Sequence, residues 1–244
     1  MDIRKLHDFF LKCESICIDT RSNCKGSLFF ALKGSNFNGN DFALEAISMG
    51  ANYAIVDESS IDHPKCFLVD DVLESLQKLS NFHRKKLKKT KIIALTGSNG
   101  KTTTKELISC VLNTTYKTSS TIGNLNNHIG VPLSLLNIND DTEFAVIEMG
   151  ANHQGEISLL TKLVEPDFGL ITNFGKAHLE GFGGIDGVIK GKKELYRWLL
   201  KNHKPIIINY DDPIQKKHIN SKSITYGKNK SANFVFSQRE NELI

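Results

Sequence analysis

The chain has 244 residues, enough for one large domain or two small ones. Hydrophobic residues make up 40% and charged residues 24%, the proportions of an ordinary globular protein, and no run of eighteen apolar residues exists to span a membrane. The net charge is only +4, and much of the basic excess lies in HRKKLKK at 83–89. No aromatic residues alternate with those charges, so the run reads as a solvated helix end and linker, and nucleic acid is not expected as a partner.

The N-terminus, MDIRKLHDFFLKCES, carries acidic residues on both sides of its apolar patch. It has no signal-peptide core and no A-x-A cleavage site, so a cytoplasmic protein is expected. The cysteines stand at 13, 17, 24, 66 and 110, an odd number without a CxxC. Cys13 and Cys17 are four apart, a spacing that could share a helix face. Reduced thiols are the simpler expectation.

Residues 1–88 contain the short apolar run SLFFALKG, the turn-rich SNFNGND, a helical ALEAISMGA and the strand-like YAIVDE and CFLVDD. VLESLQKLSNFHRKKLKK follows, with apolar residues at 72, 73, 76, 79 and 82, a helical spacing. This part predicts a small α/β domain that ends in a basic helix. Residues 89–244 alternate strand and helix. Strands are expected at 91–96, 144–149, 168–173 and 205–209, and helices at about 101–113, 155–165 and 186–202. Nearly continuous apolar strands separated by helices indicate a parallel sheet covered on both faces. In such sheets ligands bind beyond the carboxyl ends of the strands. After the strand-like ITYG, the stretch SANFVFSQRENELI begins another strand and then stops, which reads as an interruption.

Residues 92–104, IIALTGSNGKTTT, carry the most chemistry. An apolar strand runs into the turn Gly97, Ser98, Asn99, Gly100, and then Lys101, Thr102 and Thr103 open a helix. Glycines let backbone N–H groups approach an anion, and the helix N-terminus favours negative charge. The lysine adds a point charge, and a threonine hydroxyl can reach a phosphate-bound metal ion. The general GxxxxGK[ST] pattern would place its first glycine at Leu95; here Gly97 sits two positions later. The plain alternative is a glycine turn between a core strand and a helix.

Glu148 ends an apolar strand in the same domain. A carboxylate there can hold the Mg²⁺ that accompanies ATP; otherwise it is a solvent-facing strand end. His178 lies in the glycine-rich TNFGKAHLEGFGG, where a surface residue and a metal or phosphate ligand are comparably weighted. Lys190, Lys192 and Lys193 read by spacing as a basic helical face. Asn124, Asn126, Asn127 and His128 in TIGNLNNHIGVP make turns or offer hydrogen bonds to a sugar or phosphate.

Taken together, these segments resemble the Mur ligase family of peptidoglycan synthesis, over nearly the whole chain. IDTRSNCKGSLFFALKG and NGNDFALEAISMGANYAIV look like the family's UDP-binding N-terminal domain, and TGSNGKTTTKE like its ATP loop. GNLNNHIGVPLSLL, EMGANHQGEI and ITNFGKAHLEGFGG look like the branch that adds D-alanyl-D-alanine. Folylpolyglutamate synthetase shares the ATP loop but lacks the first domain.

The resemblance implies an α/β fold with a UDP-MurNAc-binding domain at 1–88 and an incomplete P-loop parallel-sheet central domain at 89–244. The family's third, C-terminal domain is expected to be missing. It implies an ATP-dependent amide ligase: ATP phosphorylates the carboxylate of UDP-MurNAc-tripeptide, and the amine of D-alanyl-D-alanine attacks the acyl phosphate. Residues 97–103 would cradle phosphates, with Lys101 neutralising the transferring one. Thr102 and Glu148 would ligate one Mg²⁺ and His178 a second, with a carbamylated Lys192 (Lys190 is the alternative) as a further oxygen ligand. Thr20 and Arg21 match the segment that meets UDP, and Asn126 and Asn127 the loop near the muramoyl substrate. A monomer is expected. A second expectation is a remnant that binds UDP-sugar or nucleotide and has little ligase activity alone.

Overall fold

The computed structural model describes residues 1–237; the polar end of the expected interrupted strand lies outside the described residues. The chain divides into two compact units, Met1–Lys88 with His128–Asp140, and Lys89–Asn127 with Asp141–Ile244. One break falls between Lys88 and Lys89, and residues 89–127 go with the second unit. The segment 128–140 differs: its helix Gly130–Leu136 packs with the first unit, where Leu136 joins the core with Leu76 and Leu79.

In the first unit four parallel strands, Ser15–Cys17, Ser27–Phe30, Tyr53–Val56 and Cys66–Leu68, lie in that order. Alternate residues of a strand face opposite sides of its sheet. Leu28, Phe30 and Ile55 therefore pack with Val72, Leu76 and Leu79 of the helix Val72–Lys86. Phe29, Ala31, Ala54 and Val56 pack on the other side with Ala43 and Ala46 of the helix Ala43–Ser48. Covering both faces explains why these strands read as continuous apolar runs. Asp71 starts the long helix by accepting from the Glu74 N–H at 2.6 Å, an N-cap that stops the preceding chain from fraying into it. Cys13 and Cys17 do not share a helix: Cys13 follows the helix Ile3–Phe10, and Cys17 ends a strand beside Cys24.

The second unit holds a seven-stranded, all-parallel sheet. Its order is Phe234–Val235, Ile224–Gly227, Ile206–Asn209, Phe168–Ile171, Lys91–Thr96, Phe144–Glu148 and Thr118–Ser120. Ile93, Leu95, Val146 and Leu170 form one face, against Ile108 and Leu112 of the helix Lys101–Asn113. The edge strand Thr118–Ser120 was not expected; it has no apolar run, and its half-buried polar residues pair with Phe144–Val146. The helix expected across 186–202 is two, Ile185–Lys192 and Glu194–Lys201.

From Lys91–Thr96 the chain passes to the edge strand Thr118–Ser120, returns to Phe144–Glu148 beside Lys91–Thr96, then crosses to Phe168–Ile171 on the other side. This reversal opens a crevice at the carboxyl end of Lys91–Thr96, the place where ligands enter doubly wound sheets.

Two buried histidines join elements of the first unit. His83 Nε2 lies 3.0 Å from the Ile138 carbonyl, and His83 Nδ1 lies 3.2 Å from His7 Nε2. A carbonyl only accepts, so His83 donates from Nε2 and accepts at Nδ1 from His7. Burial lowers the pKa of His7 from 6.5, and the neighbouring His83 and Lys86 add to this, while Asp8 and Asp140 oppose it. The unfolded chain then binds the proton more readily than the folded one, so stability is full above pH 6.5 and falls as pH drops through the lowered folded value. Hydrogen exchange in Ile3–Phe10 and Val72–Lys86 should therefore accelerate between pH 7.5 and pH 5.5 beyond the intrinsic pH effect. His7→Leu should be less protected at pH 7.5 but show a smaller acid-induced loss; an equal loss in both proteins would refute the assignment.

Candidate active site

The crevice is lined by a glycine loop that is tied down from the neighbouring strand. Gly97 has φ +152° and Gly100 φ +73°, both in the region that favours glycine. Gly97 lies against Thr172, so a Cβ there would collide with the threonine hydroxyl. Ser98 donates from Oγ to the Gly175 carbonyl (2.9 Å) and from its N–H to the Asn173 carbonyl (3.1 Å). The Asn173 amide clamps Asn99 at both backbone groups: Oδ1 accepts from the N–H at 3.1 Å and Nδ2 donates to the carbonyl at 2.9 Å. Thr172 Oγ1 donates to the same carbonyl at 2.7 Å. The loop tip is thus fixed before any ligand arrives. Thr172 and Asn173 both lie in the family-like stretch ITNFGKAHLEGFGG, but neither is among the expected site residues.

Gly100 starts the helix Lys101–Asn113 without a side-chain cap, so its first N–H groups face the crevice. Lys101 Nζ folds back on the loop and donates to the carbonyls of Gly97 (3.0 Å) and Ser98 (3.3 Å). Thr102 and Thr103 are exposed at the crevice end of the helix.

Glu148, at the end of the adjacent strand, is only 1% exposed and is held at three points. Oε2 accepts from Thr102 Oγ1 at 3.0 Å, Oε1 from Asn126 Nδ2 at 2.8 Å, and the backbone N–H donates to Thr121 Oγ1 at 3.0 Å. A buried carboxylate needs such donors. The solvent-facing alternative for Glu148 is excluded by its burial. Asn126, expected beside the muramoyl substrate, donates its amide Nδ2 to Glu148. Its carbonyl accepts from Gly150 N–H at 2.7 Å, and a Cβ at Gly150 would meet the Asn126 side chain.

Lys192 is also 1% exposed, whereas Lys190 is exposed, so the two candidate lysines differ sharply in environment. Lys192 Nζ donates to the Ala151 carbonyl at 3.3 Å and sits 5.1 Å from the centroid of the buried Phe182 ring. Burial lowers its pKa to about 8, and the charge of Lys101 adds to the shift. His178 is exposed, with φ +52°, at the start of the short helix Leu179–Phe182. Phe182, four residues on, is the link between this segment and Lys192.

Thr102 and Glu148 supply hard oxygen donors on the phosphate side of the loop, the chemistry that Mg²⁺ takes together with waters and substrate phosphates. Among the described residues no group of three or more His, Cys, Asp or Glu side chains comes together to hold a metal ion. The structure therefore brings Thr102 and Glu148 into contact and gives no such contact for His178.

In the first unit Thr20 is buried and Arg21 is exposed. The Arg21 guanidinium pairs with Asp19, Nη2 to Oδ2 at 2.6 Å, and these bonds hold the Asp19 carboxyl down at about 2. Asn127 is exposed.

Two family models match the chain: "Mur ligase family, catalytic domain" over residues 12–98 and "Mur ligase middle domain" over residues 95–243. The UDP-N-acetylmuramoyl-tripeptide–D-alanyl-D-alanine ligase of Haemophilus influenzae is 42% identical over 95% of this chain and 52% of its own length. The corresponding ligase of Bacillus subtilis is 40% identical over 87% of this chain and 47% of its own. A crystal structure of MurF from Acinetobacter baumannii superposes with a TM-score of 0.82 at 35% identity, covering 93% of this chain and 53% of that one. MurF ligase from Thermotoga maritima, solved in complex with ADP, gives 0.80 at 32% identity, covering 90% and 51%. The chain spans about half the length of the curated relatives it matches. With its first unit and its glycine-loop sheet both matched in order, the chain belongs to the Mur ligase family.

Proposed function

We propose that this chain forms the UDP-substrate and ATP-binding portions of a ligase that joins D-alanyl-D-alanine to UDP-MurNAc-tripeptide. The observation that carries the reading is the hydrogen bond of Thr102 to a buried Glu148 at the mouth of a pre-fixed glycine loop. Similarity to the Haemophilus and Bacillus ligases supplies the substrate pair.

A carboxylate is a poor electrophile, and both it and ATP are anionic, so their reaction requires fixed positive charge and fixed position. The N–H groups of residues 100–103, at the uncapped helix N-terminus, would receive the phosphates. Lys101 would turn from the Gly97 and Ser98 carbonyls to the transferring phosphoryl group. Thr102 and Glu148 would hold Mg²⁺, which offsets phosphate charge when bound. Transfer to the tripeptide carboxylate gives an acyl phosphate and ADP. Attack by the amine of D-alanyl-D-alanine then forms the amide and expels phosphate. Thr20, Arg21 and Asn127 are proposed for the UDP-MurNAc side, His178 for a second metal ion, and the cytoplasm as the place of action.

Lys192 would serve as a carbamate. The neutral Nζ attacks CO₂, an N–C bond forms, and the nitrogen loses a proton to solvent. Its pKa near 8 makes the neutral amine available at a pH where ordinary lysines are charged. Uptake of ¹³C-labelled CO₂, followed by NMR, should rise between pH 7 and pH 9 as one carbamate signal that Lys192→Arg removes. Survival of that signal in the variant would contradict the assignment.

Calorimetric titration with Mg-ATP should show binding that Lys101→Met weakens by about 10²-fold, since a charge-assisted phosphate contact is removed. Titration with UDP-MurNAc-tripeptide should also show binding. Absence of both would reject the proposed function, and phosphate release with D-alanyl-D-alanine present would extend it to full turnover.

Gly97→Ala should lower the stability of the second unit by about 1–3 kcal/mol, the usual range for a strained backbone position. It should also abolish the Mg-ATP signal. Denaturation followed by the fluorescence of Trp198 checks the first part, and an unchanged midpoint would overturn the steric account.

A further inference from the structure

Lys105 is 1% exposed, yet it stands on a helix whose sequence pattern would leave it on the surface. Its Nζ donates to the Thr121 carbonyl at 2.6 Å and pairs with Glu106 Oε1 at 2.8 Å. Burying an ammonium is costly unless its donors are used, and an aliphatic residue would pack at lower cost. The polar contact it makes leads directly to the metal carboxylate. Thr121, whose carbonyl Lys105 holds, is itself 1% exposed and accepts the Glu148 N–H through Oγ1. Five residues later the same segment delivers the Asn126 amide to Glu148 Oε1. Thr102, which donates to Glu148 Oε2, lies three residues before Lys105 and so on the same helix face.

We propose that Lys105 is a positioning residue that sets the geometry of Glu148 by anchoring the segment Thr121–Asn126. One helix face then fixes the carboxylate twice, directly through Thr102 and indirectly through Lys105, Thr121 and Asn126. The proposal rests on the reading of Glu148 as the Mg²⁺ carboxylate. Outer partners of a metal ligand change metal affinity by about 10–100-fold when removed.

The test is binding of a fluorescent ATP analogue to the 244-residue chain, titrated with Mg²⁺ and repeated in EDTA. Lys105→Met should raise the Mg²⁺ concentration for half-maximal effect by about tenfold, with metal-free nucleotide affinity within about twofold of the parent. Thr121→Val, which keeps the shape and the carbonyl that Lys105 holds but removes the hydroxyl that accepts the Glu148 N–H, should give a shift in the same direction, and Thr121→Ser should restore parent behaviour. Lys105→Gln, which takes the ammonium away from the Thr121 carbonyl, should give the same shift as Lys105→Met and carries the test if Lys105→Met does not fold by circular dichroism. An equal loss of affinity with and without Mg²⁺, or no shift in Lys105→Met and Thr121→Val, overturns the proposal. Glu148→Gln separates the two claims. If it leaves the Mg²⁺ requirement unchanged, the metal reading of Glu148 fails and the positioning claim with it. If it raises the requirement while the other variants do not, only the positioning claim fails.

Discussion

Glu148 is a carboxylate buried at the end of a strand, and the second unit is organised around satisfying it. Its two oxygens and its backbone N–H are met by Thr102, Asn126 and Thr121, which come from a helix and a long loop. Those elements reach the same point because their strands are neighbours in the parallel sheet. Lys91–Thr96 leads into the Thr102 helix, Thr118–Ser120 into Thr121, and Phe144–Glu148 ends on the carboxylate itself. Remove the acid and two donors, Thr102 Oγ1 and Asn126 Nδ2, lose their partner at once; unmet buried polar groups cost more than a formed bond contributes. The parallel order of the strands is thus what brings a buried carboxylate and a threonine hydroxyl together beside the glycine loop.

The positive charge around that point is graded by environment. Lys101 is free to turn, because it is held only by two loop carbonyls that a phosphate can replace. Lys105 is committed to structure. Lys192 is buried against Ala151 and Phe182, and burial lowers its pKa to about 8. Three lysines within one α/β unit therefore occupy three different chemical situations, and burial with its partners, rather than residue type, separates them.

Much of this was legible in the chain. The Lys91–Thr96 strand, its glycine turn and the Lys101–Asn113 helix follow from local pattern: an apolar run, two glycines at positive φ and a helical periodicity. Continuous apolar strands gave the two-sided parallel sheet by the same logic. What local pattern could not carry is long-range placement. The edge strand Thr118–Ser120 has only polar residues, and pairing with Phe144–Val146 is what makes it a strand. The helix Gly130–Leu136 belongs to the first unit although its neighbours in sequence belong to the second. Asn126 reads as a turn or a sugar contact until Glu148, twenty-two residues on, is seen to take its amide. Lys105 sits at the end of the quoted TGSNGKTTTKE, but spacing alone gives it no role, since a lysine in an amphipathic helix is ordinarily solvated.

The central claim, that the glycine loop and Glu148 form one Mg-nucleotide site, is tested most directly by a crystal structure of the chain with a non-hydrolysable ATP analogue and Mn²⁺ in place of Mg²⁺. The account predicts an anomalous peak at metal-ligand distance from Thr102 Oγ1 and Glu148, bridged to phosphates seated on residues 97–103. Nucleotide bound elsewhere on the sheet, or a metal peak away from Glu148, would contradict it.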